Sequence, residues 1–414
     1  MPFENSSTEV VDKMKEIFGL PTDAFKKKKE VNDNKPIKLF DDYEEEKPHI
    51  IIDTGTCYTK AGLSGEEGPR AVFPSMVGYP KYASGMVGGD KKEFYVGADV
   101  ETKRGVLKLN YPIEGGEVNN WDDVEKIWRN VFTNELRVAP EEHNIMIIEP
   151  PNNDKFNREK TAQIMFETFN VPGLYIANSA VLSLYSVGKF DGIAIDSGED
   201  ITHFVPIYDG FAISHAYIGE NYAGRDLTLF LMKLLNESGY RFSTSFEKEI
   251  VKSIKEKACY VAFDLSDELK CIEPYDYELP DGTHIIIKDQ RIRCPEALFK
   301  PELIGKDGVG IAKACNYSIQ KCDNDIRKDL YHCIVLSGGN SMFNGFKERL
   351  EKEIKYIAPY SMQKEVRVIA SPERKFTAWI GGAILSNLPN FENSWVTKTE
   401  YEEYGATIIH RKCF

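Results

Sequence analysis

Residues 50–62 read IIIDTGTCYTKAG, and within them an aspartate, a glycine and a lysine stand where they could handle a phosphate. Asp53 closes an apolar run, where a carboxylate can hold a hydrated divalent cation through its water shell. Thr54, Gly55 and Thr56 are turn formers, and Gly55 can take a positive φ without steric cost. Such a turn can aim several backbone N–H groups into one concavity, a nest for an anion. Lys60 adds a point charge suited to phosphate. A strand closed by D-T-G is also an ordinary turn, so the stretch gains weight only from the rest of the chain. The pattern returns at 192–203, GIAIDSGEDITH. Ile193, Ala194, Ile195 and Asp196 repeat Ile50, Ile51, Ile52 and Asp53, and Asp196 follows Asp53 by 143 residues, about one domain. The repeat reads as two duplicated domains, each presenting an Asp and a Gly turn to a shared cleft. The alternative is coincidence between two buried strands. A third apolar run closed by glycine, CIVLSGG, lies at 333–339.

The elements that must carry these residues follow from periodicity. The apolar runs are short and β-branched, which favours buried strands. Residues 143–150 (HNIMIIEP) form another such run. Helical patterns cover 121–136, opening at Asn120 or Asp122 and ending near Arg137, then 158–170 and 178–187. Further helices are expected over 247–263, with Ile250, Ile254, Ala258 and Val261 on one side, over 317–328, 346–354 and 379–388, and a hairpin turns at the PDG of 280–282. Strands and helices alternate, which predicts an α/β chain with mixed sheets. Residues 1–47 differ in composition. An amphipathic helix is expected over 8–20, with Val10, Val11, Met14, Ile17 and Phe18 near one face, followed by a charged linker. Residues 81–92, rich in glycine and serine, read as an exposed loop.

Composition removes several functions. A net charge of −13 argues against direct nucleic-acid binding, which needs a basic face. The eight cysteines are scattered without a C-x-x-C pair, so neither a zinc ribbon nor a disulfide framework is expected. No apolar stretch approaches the length of a membrane span, so no membrane insertion is expected and a soluble cytoplasmic protein is. The lysine run 26–29 is only a hint of nuclear entry, and a solvated charge run is the favoured explanation.

From about residue 48 to 414 the chain resembles actin. The matching runs include RAVFPS at 70–75, YPIE at 111–114, NWDD at 120–123, ELRVAPEEH at 135–143, NREK at 157–160, VLSLY at 181–185, CPEALF at 294–299, SPERK at 371–375, WIGG at 379–382 and HRKCF at 410–414. The resemblance implies an α/β, actin-like two-domain ATPase clamp with duplicated mixed sheets and a central nucleotide cleft. Residues 1–47 would be an extension and 48–184 the first domain, with 75–111 as its small subdomain. Residues 185–374 would be the second domain, with 223–306 as its small subdomain, and 375–414 a return to the first. ATP or ADP with Mg2+ or Ca2+ is implied in the cleft. The first phosphate turn would be Gly55, Thr56, Cys57, Tyr58 and Lys60; the second, Ser197, Gly198, Glu199, Asp200 and Ile201. Asp53 and Asp196 would hold the cation's water shell. Lys255 and Glu256 would lie on the ribose and adenine side, with Gly338, Gly339, Met342 and Lys375 around the base, and His203 near the attacking water.

Three departures from actin fall on the reaction. Ser179 stands where actin has its water-positioning glutamine, and serine is too short for that task. Asn178 beside it is expected to point about 100° away on the helix. Asp200 replaces a glycine and Glu199 an aspartate in the second turn. An added carboxylate there needs a cation or a lysine to offset it. Cys57 replaces a glycine and adds bulk near the phosphates. Nucleotide binding with slow or lost hydrolysis is therefore expected. Actin's methylated histidine corresponds to Gly115, and Met86 and Gly89 fall where actin has two oxidisable methionines. The implied partners are copies of itself or actin subunits, and actin-binding proteins at a groove mapped to Tyr185, Ser186, Gly210, Phe211, Leu385, Leu388 and Asn390. The location implied is the cytoskeleton, with the nucleus as a second site. The competing reading is an actin-related subunit of a larger complex in which nucleotide is structural. A sugar-kinase-like transferase would need a base and a sugar pocket that no motif supplies.

Overall fold

The computed structural model describes residues 47–81 and 92–413. The helix expected over 8–20, the linker after it, and Met86 and Gly89 lie outside the described residues.

Two six-stranded sheets dominate. In the first, Ile50–Thr54 runs antiparallel to Tyr58–Leu63 on one side and parallel to Ile145–Glu149 on the other. Ala71–Pro74 extends one edge, and Gly173–Asn178 and Val396–Thr397 the other. In the second, Gly192–Ser197 runs antiparallel to Thr202–Tyr208 and parallel to Ile334–Ser337, with Val368–Ile369 beyond. The same three-strand arrangement therefore surrounds both copies of the repeat. Ile50, Ile51 and Ile52 are fully buried, which is why the run is continuously apolar and not alternating. Register extends the equivalence to single residues: Asp53 faces Lys60 across its hairpin, and Asp196 faces His203 across the other.

Each sheet carries its own large apolar core, one built around Ile50–Ile52, Trp379 and Trp395, the other around Ile193, Phe204 and Phe346. Three small sheets lie apart from these: Val77–Pro80 with Tyr95–Val96 and Leu107–Asn110, the pair Ile113–Glu114/Glu117–Val118, and the hairpin Tyr275–Glu278/His284–Ile287, whose turn is the expected PDG. The helix expected over 121–136 is α-helical from Trp121 to Asn130 and continues as a π-helix over Val131–Leu136. Asn120 caps it, accepting from the Asp123 N–H, and Arg137 ends it in the left-handed region at φ 56°.

Three expectations are corrected. The helix placed over 317–328 ends at Lys321, because Cys322 is extended at ψ 163°; Arg327–His332 is a separate helix. Gly173–Asn178 is a strand that periodicity passed over. Asn178 is not on the helix after it: it caps Ser179–Tyr185, its Oδ1 accepting from the Ala180 N–H at 2.9 Å. Among the described residues no helix is long and apolar enough to cross a membrane, and all eight cysteines are free.

Candidate functional site

A pocket of about 390 Å³ opens where the ends of the central strands of the two sheets face each other. Its wall includes every site residue expected from the sequence except Ser197. Ser197 is 1 % exposed and its hydroxyl lies 2.9 Å from that of Thr202, so it braces the second hairpin from behind.

The two Asp turns are closed alike. The Gly55 N–H donates to Tyr58 O at 3.1 Å and the Gly198 N–H to Ile201 O at 3.2 Å. The leading N–H of each turn thus holds the turn together and is not free to face an anion. Asp53 pairs with Lys60 at 2.7 Å. Burial depresses the Lys60 ammonium, but Asp53 and then Asp196 outweigh it and leave the ammonium above its ordinary value. Asp196 is the converse: burial pushes its carboxyl up to about 6, with Lys60 opposing and the Asp53 charge adding to the rise. Two carboxylates with one ammonium between them are short of positive charge, and this donor set suits a hard divalent cation. Among the described residues no cluster of three His, Cys, Asp or Glu could hold a bare metal ion, so a cation here would keep most of its water.

Gly338 fixes how the third glycine-ended strand meets the second turn. It sits at φ 85°, and a Cβ there would lie 2.3 Å from Ser197 O and 2.6 Å from Asp196 Oδ1. Asn340, which sequence reading missed, then donates from Nδ2 to Gly198 O at 2.7 Å and to Ser197 Oγ at 3.1 Å. A polar residue directly after a Gly pair was the only signal available.

Cys57 does add bulk, but its thiol turns to Lys252, with Sγ accepting from Nζ at 2.7 Å. Burial pushes the thiol up, against the opposing pull of Lys252. The same ammonium lies 4.7 Å from the Tyr58 ring centroid, and Lys375 lies 5.2 Å from it. Lys252 was not singled out because it sits among other lysines of the helix Ser245–Ala258. On that helix Lys255 is 4 % exposed and donates to Gly224 O at 2.7 Å, which rules out a solvated helix face for it. Glu256 is exposed at the pocket rim.

The added carboxylate of Asp200 is offset by an arginine, where a cation or lysine was expected. Its Oδ2 accepts from Arg225 Nη2 at 3.3 Å and from the Gly115 N–H at 2.8 Å. Its Oδ1 lies 2.7 Å from Arg225 Nε, an ion-pair contact without hydrogen-bond geometry. Two departures from the actin pattern, at 115 and 200, are therefore partners of each other.

Ser179 opens the helix Ser179–Tyr185 and is 7 % exposed, and its hydroxyl has no hydrogen-bond partner among the described residues. A buried, unsatisfied hydroxyl on a pocket wall is the group a ligand or its water would satisfy. His203 is held by Tyr217, with Nδ1 to the hydroxyl at 2.8 Å, and burial lowers the imidazole to about 4. It is neutral near pH 7.

The residues expected to line a partner groove differ widely in burial. Tyr185 is 4 % and Leu385 3 % exposed, both packed in the first core. Leu388 is partly buried against the same core, and Phe211 is 51 % exposed. Tyr185 and Leu385 are therefore interior side chains in this structure. The family model Actin matches residues 44–414.

Proposed function

The chain belongs to the actin family, and on that premise we propose that it is an ATP-binding cytoskeletal protein that assembles with itself or with actin and hydrolyses nucleotide slowly. Its pocket is the nucleotide cleft between two domains, 48–184 and 185–374, with 375–414 returning to the first. Asp53 and Asp196 would hold a Mg2+ or Ca2+ ion through its water, and such an ion would neutralise phosphate charge. The glycine turns, Lys60 and Lys252 receive the phosphates. Gly338, Met342 and Lys375 surround the base. Phe211 and Leu388 remain for partners to contact.

Slow hydrolysis rests on one observation: the Ser179 hydroxyl is buried on the pocket wall with no hydrogen-bond partner among the described residues, and it is too short to orient an attacking water. Single-turnover phosphate release with bound ATP tests this. Ser179→Gln is expected to raise the rate about tenfold or more. No acceleration, with ATP shown to be bound, would sink the idea.

The second reading, a subunit of a larger assembly with structural nucleotide, draws support from the burial of Tyr185 and Leu385, two of the residues mapped to the shared partner groove. Sedimentation of the full chain with magnesium and salt separates the two. Robust pelleting supports self-assembly; a soluble protein that retains nucleotide supports the subunit.

A further inference from the structure

His203 meets the pocket with one ring nitrogen already committed. Gly219 lies directly opposite it in the antiparallel pairing of Ile218–Glu220 with Thr202–Tyr208. A Cβ at 219 would sit 2.5 Å from the Tyr217 hydroxyl, so the glycine leaves the space through which that hydroxyl reaches the imidazole. The Tyr217 ring packs against the cluster containing Ala180 and Leu184, from the helix that carries Ser179. Tyr217 is thus fixed from both sides, and its contact with Nδ1 is built into the fold.

We propose that Tyr217 is a positioning residue: its hydroxyl donates to His203 Nδ1, which places the ring proton on Nε2 and makes His203 a hydrogen-bond donor to an anionic pocket ligand and not a base. A neutral imidazole has one N–H and one lone pair, and the partner of one nitrogen decides the role of the other. The direction follows from relative acidity. A phenol is a good donor and a poor acceptor, whereas an imidazole nitrogen is a good acceptor. Burial raises the Tyr217 hydroxyl above its ordinary value and keeps it protonated. With Nε2 carrying the proton, His203 stabilises a phosphate oxygen, or the oxygen of a water, by donation. It takes no proton from that water. Ser179 is too short to position water and His203 cannot accept its proton, so the pocket retains nucleotide better than it cleaves it. The nature of the anion rests on the nucleotide reading; the tautomer does not.

The test uses the nucleotide-free full chain labelled with 15N-histidine. Long-range proton–nitrogen correlation near pH 7 reports both ring nitrogens of each of the seven histidines, and His203 is assigned by the loss of its signals in His203→Gln. The expected wild-type spectrum shows Nδ1 unprotonated and Nε2 protonated, with widely separated shifts. In Tyr217→Phe the two shifts move towards each other as the tautomers mix, and Gly219→Ala, which crowds the hydroxyl, gives the same change. A protonated Nδ1 in the wild type overturns the proposal. So do unchanged shifts in a Tyr217→Phe protein that melts cooperatively; if that variant does not fold, the wild-type spectrum alone decides. No nucleotide is added, so this outcome is independent of whether ATP is the ligand.

Discussion

Gly381→Ala is expected to destabilise the fold by ~3 kcal/mol or more, although alanine is the better helix former by about 1 kcal/mol. The two effects have opposite signs, and geometry decides between them. Gly381 lies in the helix Thr377–Ser386, which crosses Ser179–Tyr185 at close range. A Cβ at 381 would sit 1.9 Å from Leu182 O and 2.5 Å from Leu182 C. Those atoms are backbone, so no side-chain rotation relieves the clash, and the helices must separate. Gly382 is the internal control. Its Cβ would meet Ile51 Cγ2 at 3.1 Å and Met146 Sδ at 3.2 Å, side-chain atoms that can shift by tenths of an ångström. Gly382→Ala is expected to stay within ~1 kcal/mol of the parent. Urea unfolding of both variants measures the difference. Equal effects from the two alanines would mean that the helix crossing is looser than these distances require. Because Ser179 opens the displaced helix, the surviving folded fraction of Gly381→Ala should also bind nucleotide more weakly.

The residues easiest to place from sequence were those whose environment is local. Asp53 and Asp196 announce themselves because a continuously apolar strand must stop somewhere, and each stops at a carboxylate and a glycine. The Asn120 cap and the PDG hairpin are local in the same sense. What the sequence hid was pairing over distance. Asp200 looked like a misplaced charge because its partners, Gly115 and Arg225, lie 85 residues before it and 25 after. Lys252 looked like one more helix lysine because only the fold brings Cys57 and Tyr58 to it. Tyr185 and Leu385 were mapped to a groove by resemblance, but an aromatic and a leucine in a helix also read as core, and both side chains are buried.

The repeat also shows what duplication preserves. The fold keeps the hairpin, the aspartate and the closing hydrogen bond of each turn. It does not keep the residue opposite the aspartate. In one copy that residue is Lys60, charged and paired at 2.7 Å; in the other it is His203, buried and neutral. Asp53 therefore has a resident counter-charge, and Asp196 has only a share in the same lysine. Burial pushes the Asp196 carboxyl upward, and the shared Lys60 opposes that rise without cancelling it.

Asp196→Asn should therefore have opposite effects with and without ligand. In the ligand-free protein the folded-state value of about 6 stands above the ~3.9 of an unfolded chain, so the folded state binds the Asp196 proton more tightly. Ionised Asp196 then costs stability. The cost is absent below about pH 4, grows as pH rises to about 6, and is constant above that. The gap between the folded and unfolded values caps this cost at about 3 kcal/mol, and solvent access through the pocket mouth reduces it to ~1–2 kcal/mol. Asparagine removes the charge, so the ligand-free variant should melt higher than the parent at pH 8 and level with it at pH 4. With magnesium and ATP at pH 8 the order should reverse. The parent gains the linkage energy of binding, whereas the variant has lost one of the two carboxylates proposed to hold the cation through its water. Its affinity for the cation–nucleotide pair should fall at least ~10-fold, an energy of about 1.4 kcal/mol. Thermal melts of both proteins, with and without ligand at the two pH values, measure all of this together. A ligand-free variant less stable than the parent at pH 8 would show that Asp196 is held by favourable contacts and not against the cost of its burial.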